Sequence, residues 1–538
     1  MTYLLLPGRH HLLTVFQLQY LTMATSGDGT ALSDVNGQPL GLKNPIDTVV
    51  WAITSANHAN TRRNPLPANR REVAIEDFAS QLDVASHVYL IDDIGSSERF
   101  AEYVLKKIEV DSQSCLRLTP ENTVVGCSTP EVIAMYEQLG FRILPMELAD
   151  RRSLSFTAET PWHLVQAIFA GDHAGRDWRT NEVFLTKVAR ATRRLYLKYN
   201  YGDLITDLFH HPFLSEDGDL TETRDYSTYV RSFDEGAERK YALIKDFVVP
   251  GRIVDIGCCT GSLIRQLAQD DRFRESDFYG VEVARRLFQE CLHRKEQGAF
   301  ANDNVFFYHR NAAEYPIFAP NSIQTFTTFA LTHELESYQG RATLDRFISL
   351  LYDQLALGGR WINVDVVGPE NKDVLVYMLL NRDDGRNDDF AAVFDKHERD
   401  KCREYLQGLS TLGRFLRFQR DFRHEAGYCL ESETETSGGE TYIRLRLQDA
   451  CEFMSKKDYV DNWQSEMHET FCYWDFSDWR QAVEHVGFIV HPDSHAFTNP
   501  WIVENRYQGK VQLFQKADGA LEPMAYPVTN MVLIAEKR

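Results

Sequence analysis

The stretch Arg252-Ile253-Val254-Asp255-Ile256-Gly257-Cys258-Cys259-Thr260-Gly261-Ser262-Leu263 decides the fold of the C-terminal half. Ile253, Val254 and Ile256 make a short apolar strand, Gly257 to Gly261 a turn of small residues, and Leu263–Ala268 the start of an amphipathic helix. A strand that ends in such a turn and opens a helix is a place where backbone N–H groups receive a nucleotide. Gly257 and Gly261 let the backbone pass a ligand without a Cβ in the way, and Asp255 orders the turn or meets a cationic group. The next strand end, Gly280-Val281-Glu282-Val283, carries an acid. A carboxylate about twenty residues beyond the turn is placed to accept two hydrogen bonds from a ribose diol.

Working outward, further strands of this second region read at Val305–His309, Ile323–Phe329, Arg360–Val367, Phe488–His495 and Val528–Glu536, with helix-length segments between most of them. The alternation breaks between about 370 and 476, a charged and aromatic stretch that reads as an insertion or lid, with a hairpin at Ser437–Arg446. Towards the N-terminus, strands read at Tyr3–Leu6, Thr48–Thr54, His87–Ile91, Thr123–Gly126 and Arg142–Pro145, the pattern of a parallel sheet with crossover helices. Residues 24–45 form a polar excursion, and residues 161–225 a basic helical connector whose charged face is solvated, ending in the acidic segment Ser215–Arg224. The expected organisation is α/β: two Rossmann-like doubly wound domains, 1–160 and 226–538, with the connector between them.

The composition bounds the rest. With 43% hydrophobic and 25% charged residues among 538, the chain is an ordinary folded protein. Its formal charge of −20 argues against a nucleic-acid partner, which needs Lys and Arg against phosphates. Nine cysteines without paired C-x-x-C spacing point to a reduced, cytoplasmic location and to no structural metal. No apolar run is long enough to span a membrane, and Arg9, His10 and His11 interrupt the apolar start.

These residues resemble class I S-adenosylmethionine-dependent methyltransferases over about 226–538, excluding the insertion. The likeness runs in order through Val254–Leu263, Gly280–Val283, the adenine-side stretch Arg310-Asn311-Ala312-Ala313-Glu314-Tyr315-Pro316, Phe326–Leu335 and Leu355–Trp361. It departs at Cys259, where the middle Gly of G-x-G-x-G would stand, and at Asn311, in place of an Asp that faces the adenine amine. An NAD-binding Rossmann domain shares the loop, but Gly358-Gly359-Arg360 and Ala312–Pro316 fit the methyltransferase better. The resemblance implies S-adenosylmethionine as cofactor, held by Asp255, Gly257, Cys259, Gly261, Glu282, Asn311 and Ala312. It also implies substrate-facing groups at His333 and Glu334.

Methyl transfer from a sulfonium needs alignment, and a base where the acceptor carries a proton. His333 has the right unperturbed pKa for a base, and a helix-start His capping a turn is the other reading. His468 is the next candidate, from the cluster Tyr459, Trp463, Glu466, His468, Glu469, Tyr473 and Trp474, where Tyr459 and Trp463 read as acceptor contacts or as lid core. Ser477 reads as the cap of the following helix.

The first region looks like the nucleotidyltransferase fold of nicotinamide-nucleotide adenylyltransferases, through Gly8-Arg9, Thr54–His58, Asn64-Pro65, Arg70-Arg71, Val125–Pro130 and Gly140–Pro145. The family's H-x-G-H falls on Thr14-Val15-Phe16-Gln17, and its late Ser/Thr–Arg signature on Thr157–Leu164, without the Arg. The expectation is therefore a methyltransferase of a small-molecule, nucleotide-like acceptor with an inactive N-terminal domain. A bifunctional enzyme and a non-catalytic nucleotide-binding scaffold are the alternatives, and the oligomeric state is left open.

Overall fold

The computed structural model describes all residues except 27–31, 43, 95–98, 151, 152, 154, 171–176, 211–225, 314 and 395–397, and the backbone alone of 207, 210 and 226–233. The Ser215–Arg224 boundary, part of the polar excursion and Glu314 thus lie outside the described residues. The chain forms two compact units, Met1–Gly218 and Asp219–Arg538.

In the first unit, β1 (Tyr3–Gly8), β2 (Thr48–Ile53), β3 (Ala85–Leu90), β4 (Thr123–Cys127) and β5 (Arg142–Pro145) form a parallel sheet in the order β3-β2-β1-β4-β5. A small hairpin follows, β6 (Leu148–Asp150) with β7 (Ser155–Phe156). The central strands are buried on both faces. Leu4, Leu6, Val49, Trp51 and Ile53 enter one core, while Tyr3, Leu5, Val50 and Ala52 enter the other, the period-two alternation of a strand between helical layers.

Of the connector expected at 161–225, the described helices pack into the first unit. Helices Pro161–Phe169, Glu182–Lys187, Arg190–Tyr199 and Tyr201–His210 bury Leu164, Phe169, Phe184, Leu195 and Tyr196 in the first of these cores. The basic residues do line the outer side, but the apolar stripe of these helices has one place to go, the face of the sheet they follow.

The second unit contains β8 (Arg252–Ile256), β9 (Asp277–Glu282), β10 (Val305–His309), β11 (Ile323–Phe329), β12 (Leu355–Val366), β13 (Leu375–Leu380), β14 (Ser432–Ser437), β15 (Glu440–Arg446), β16 (Phe488–Val490), β17 (His495–Phe497), β18 (Val511–Ala517), β19 (Ala520–Pro523) and β20 (Asn530–Lys537). Its main sheet runs β10-β9-β8-β11-β12-β20-β16, with β17 also on β20. The five strands β8 to β12 are parallel, and β20 enters antiparallel, Arg360 opposite Glu536 through Val366 opposite Asn530. The chain reverses direction across the sheet between β8 and β11, so the loops after these strands open the ligand crevice at their carboxyl ends.

A second, antiparallel sheet, β14-β15-β13-β18-β19, carries the insertion. Its hairpin pairs Ser432–Ser437 with Glu440–Arg446 around Gly438-Gly439, both with positive φ, so it begins earlier than the expected Ser437. The insertion is also not confined to 370–476. Strands β18 and β19 come from 511–523, because β13 needs an antiparallel partner on its other edge and β18 supplies it, Tyr377 opposite Phe514. Helices Arg399–Gln407, Thr411–Asp421 and Leu447–Lys456 close a core of its own around Leu406, Phe415, Phe418 and Phe453.

Candidate cofactor and acceptor site

The turn after β8 holds three residues in the left-handed region, Gly257 (φ 71°), Cys259 (φ 52°) and Gly261 (φ 75°). The non-glycine one, Cys259, is the departure noted in the sequence, and its side chain is buried. Gly261 is bare for packing rather than for a ligand: a Cβ there would stand 3.1–3.2 Å from the rings of Phe307 and Phe300. The turn is tied to the next strand end. Gly257 and Cys258 donate to the Val281 carbonyl (2.9 and 3.2 Å), and Cys259 N–H donates to Glu282 Oε2 at 2.9 Å.

Glu282 is buried and also accepts from Val283 N–H (2.9 Å) and Ala284 N–H (2.8 Å) through Oε1. Burial pushes its pKa up to about 7, the three N–H groups oppose that, and the nearby Glu334 adds to the rise. A carboxylate offers about four acceptor sites, and three are taken by backbone. One acceptor site is therefore left over for a ribose hydroxyl, where the sequence led us to expect two. Asp255, at the end of β8, accepts from Thr327 Oγ1 at 2.7 Å, and burial raises it to about 6. Asn311 turns its side-chain oxygen onto Ala313 N–H at 2.9 Å, forming an Asx turn beside Ala312 and keeping a second lone pair for a donor. These groups fit a nucleoside: an acid for a ribose hydroxyl, a left-handed turn and an amide at the base side.

The other half of the crevice is built on helix Thr332–Gln339, which follows β11. Asp365 on β12 caps that helix. Its Oδ2 accepts from Thr332 N–H (2.7 Å), Thr332 Oγ1 (2.6 Å) and His333 N–H (3.2 Å), the orphan donors of a helix start. Its Oδ1 meets His333 Nδ1 at 2.6 Å, and the opposite ring nitrogen lies 3.6 Å from Glu469 of the insertion. Burial alone would lower the His333 pKa, but the two carboxylates lift it well above the ordinary histidine value. The two carboxylates thus favour the protonated ring, whereas the expected base needs a free ring nitrogen. Nor does it cap the helix, since the cap is Asp365.

Glu469 is further held by the Tyr338 hydroxyl at 2.9 Å, and His468 stacks on Tyr338 with ring centroids 4.8 Å apart. The insertion thus sends Glu469 to His333 and leaves His468 alongside. Glu334 is half-buried and close enough to Glu282 for its charge to be felt. Trp463 is not an acceptor contact: it sits in the insertion's own core and donates to Asp421 at 2.9 Å. Tyr459 packs edge-on to Phe471 beneath the Arg506 guanidinium, 4.6 Å from its ring centre. Asp475, rather than Ser477, caps helix Phe476–Val486, through a reciprocal pair of hydrogen bonds with Asp478.

In the first unit a cavity of about 340 Å³ opens at the carboxyl ends of β1 and β4, with Arg9, His10, His11, Trp51, Ser128 and Glu147 on its walls. Burial lowers His10 to about 4 and His11 well below the usual range, so both rings are neutral. Thr14 and Gln17, the ends of the altered H-x-G-H, form a capping box on helix Val15–Thr25, and Gln17 Nε2 donates to Glu147 at 2.9 Å.

No protein-family model and no curated protein sequence matches the chain. Solved structures that resemble it include geranyl diphosphate C-methyltransferase from Streptomyces coelicolor A3(2), at 10% identity over 56% of this chain and 77% of that one, TM-score 0.29. Others are S-adenosylmethionine-dependent methyltransferases from Mesorhizobium loti, at 11% identity over 56% of this chain and 100% of that one, TM-score 0.30, and from Clostridium acetobutylicum ATCC 824, at 11% over 58% and 92%, TM-score 0.27. At such scores the likeness carries no functional weight. What this chain does has to be read from its own turn, acids and strand order.

Proposed function

We propose that the second unit is an S-adenosylmethionine-dependent methyltransferase of a small-molecule acceptor. The observation that carries this reading is the turn after β8 pinned by its backbone to Glu282 at the end of β9, in the crevice where the sheet reverses. The strand order also disfavours a dinucleotide. That ligand is bound by two parallel halves in the order 3-2-1-4-5-6, whereas here β20 enters antiparallel beside β12.

When bound, S-adenosylmethionine supplies a methyl group on a sulfonium. Glu282 holds a ribose hydroxyl, Asn311 and Ala312 border the base, and the Gly257–Gly261 backbone lies along the methionine end. On the acceptor side, His333, clamped by Asp365 and Glu469, presents positive charge and orients Glu469. Glu469, linked to Tyr338, is the group through which an acceptor proton leaves. An acceptor bearing a hydroxyl or ring nitrogen suits that arrangement, and the chain's charge of −20 favours a small molecule over nucleic acid.

Calorimetric titration tests the cofactor assignment. Glu282→Ala removes a charge-assisted hydrogen bond and should weaken S-adenosylmethionine by about 2 kcal/mol. An unchanged affinity, or no binding by the native protein, would overturn it.

For the first unit, the cavity at β1 and β4 favours retained binding without transfer, because Thr14 and Gln17 are occupied as helix caps. With ATP or CTP, Mg²⁺ and phosphorylated acceptors, the protein should release no pyrophosphate. A release that disappears on His11→Ala would make the protein bifunctional.

A further inference from the structure

Ahead of β18 the chain takes an uncommon turn. After the short helix Pro500–Ile502 the backbone widens into one turn of π-helix, Val503–Tyr507, closed by Gln508 N–H on the Val503 carbonyl at 2.9 Å. Such turns concentrate at functional sites. Ile502, Val503 and Tyr507 pack into the insertion's core, which leaves Trp501 and Arg506 beside Tyr459. The Arg506 guanidinium lies 4.6 Å from the Tyr459 ring centre and 5.6 Å from that of Trp501. The rings attract the cation without cancelling its charge.

Among the described residues no acid forms an ion pair with Arg506. Asp458, the acid whose field it feels, is shared by three other cations: Arg414 at 3.0 Å, Lys510 at 3.7 Å and Lys457. Asp461, the next acid along the chain, is taken by Arg403 at 3.8 Å. Four positive groups therefore stand against one carboxylate, in a chain whose formal charge is −20. Lys457 is buried, and its Nζ donates to the Arg506 carbonyl. Burial brings its ammonium down to about 8 against the pull of Asp458, and Lys510 and Arg506 lower it further. Positive charge crowded out of water in this way is costly until an anion joins it.

The cluster reaches the acceptor side of the crevice. Tyr459 meets Phe471 edge-on with ring centroids 6.4 Å apart, and Phe471 meets His333 edge-on at 4.9 Å. A planar guanidinium offers two parallel N–H donors to a carboxylate or a phosphate. We propose that Arg506, backed by Lys457, seats an oxyanion carried by the methyl acceptor, so that the acceptor is an anionic small molecule, a carboxylate or a phosphate ester. This rests on the methyltransferase reading of the second unit.

Inorganic phosphate and acetate are the probes, titrated by calorimetry at constant ionic strength into the full chain holding S-adenosylhomocysteine. The native protein should bind at least one of them with a Kd on the order of 1 mM, and the tighter of the two names the acceptor's group. Arg506→Met should weaken that binding at least about tenfold, and Arg506→Lys, which keeps the charge but loses the fork, should show part of that loss. Neither variant should change the affinity for S-adenosylmethionine. A thermal melt of each establishes that it is folded, and Arg506→Lys carries the comparison where Arg506→Met does not fold. No binding of either anion, or equal binding by the native protein and the folded variants, would overturn the oxyanion seat while leaving the cofactor assignment standing. Displacement of S-adenosylhomocysteine by the anion would put the anion in the cofactor's own place and overturn the seat as well. A native protein that binds no S-adenosylmethionine would overturn the methyltransferase reading, and with it the acceptor role of Arg506.

Discussion

Glu282 joins two demands that conflict: it must be buried to hold the turn through Cys259, Val283 and Ala284, and it must be ionised to hold a hydroxyl well. With its pKa pushed up to about 7, the acid is half protonated at neutral pH. Raising the pH ionises it, so S-adenosylmethionine affinity should rise with pH through about 7 and be roughly tenfold weaker at pH 6 than at pH 8, one proton per binding event. The stability contribution has the opposite sign. A carboxyl whose folded pKa lies above its ordinary value is favourable at low pH and loses that advantage as pH rises from the ordinary carboxyl range towards 7. Titrations at several pH values check the first effect, and a flat profile would remove Glu282 from the ribose site. Glu282, Gly257 and Cys259 were legible in the sequence because the turn and its acid are set by residues within one β-α-β unit. Asp365 was not, since what makes it functional is a neighbour more than a dozen residues away, His333; Glu469 stood in the cluster around His468, but its link to His333 was not legible. A faint signal did exist in Asp365, an acid inside the run Trp361–Val367, where only Asn363 is otherwise polar.

The segment Glu469 to Cys472 carries the insertion's acid to the site, and a buried pair holds it in place. Lys456 is fully buried, with its Nζ 2.7 Å from Glu452 and also on the Glu469 carbonyl, while Glu452 accepts from Phe471 N–H and Cys472 N–H at 2.9 and 2.8 Å. Removing one member leaves a buried charge unpaired, so Lys456→Met should cost about 3–5 kcal/mol in denaturant unfolding, and Lys456→Met with Glu452→Gln should recover much of it. Methyl transfer should fall further than cofactor binding in the single variant, because Glu469 loses its anchor. A loss below about 1 kcal/mol would mean that the pair is solvated and does not position the segment. At this scale the parallel strands were legible from short apolar runs, such as Val49–Ile53. The insertion was harder to read, because β13 and β18 pair across about 130 residues and neither carries a local sign of its partner. The connector helices misled for another reason. Their charged face is real, but a stripe such as Phe184, Ala191 and Leu195 buries itself against whatever sheet lies beside it in the chain.

Across the whole chain, the cores of the first unit draw on residues 3–205 and those of the second on residues 244–535, so each unit has its own apolar interior. A ligand bound by one unit stabilises that unit's folded state by RT ln(1 + [L]/Kd), about 2.7 kcal/mol at a hundredfold excess over Kd, and does nothing for a unit that unfolds independently. Scanning calorimetry should therefore give two transitions, and S-adenosylmethionine should raise one of them by several degrees while leaving the other in place. A ligand of the first unit's cavity at β1 and β4 should do the reverse. The Glu282→Ala variant serves as the internal control: with its affinity about 2 kcal/mol weaker, the same addition should stabilise that unit by only about 0.9 kcal/mol and shift its transition about a third as far. One merged transition, or a rise of both with S-adenosylmethionine alone, would mean that the units unfold as one. The first unit would then have to be counted as part of the second unit's own stability.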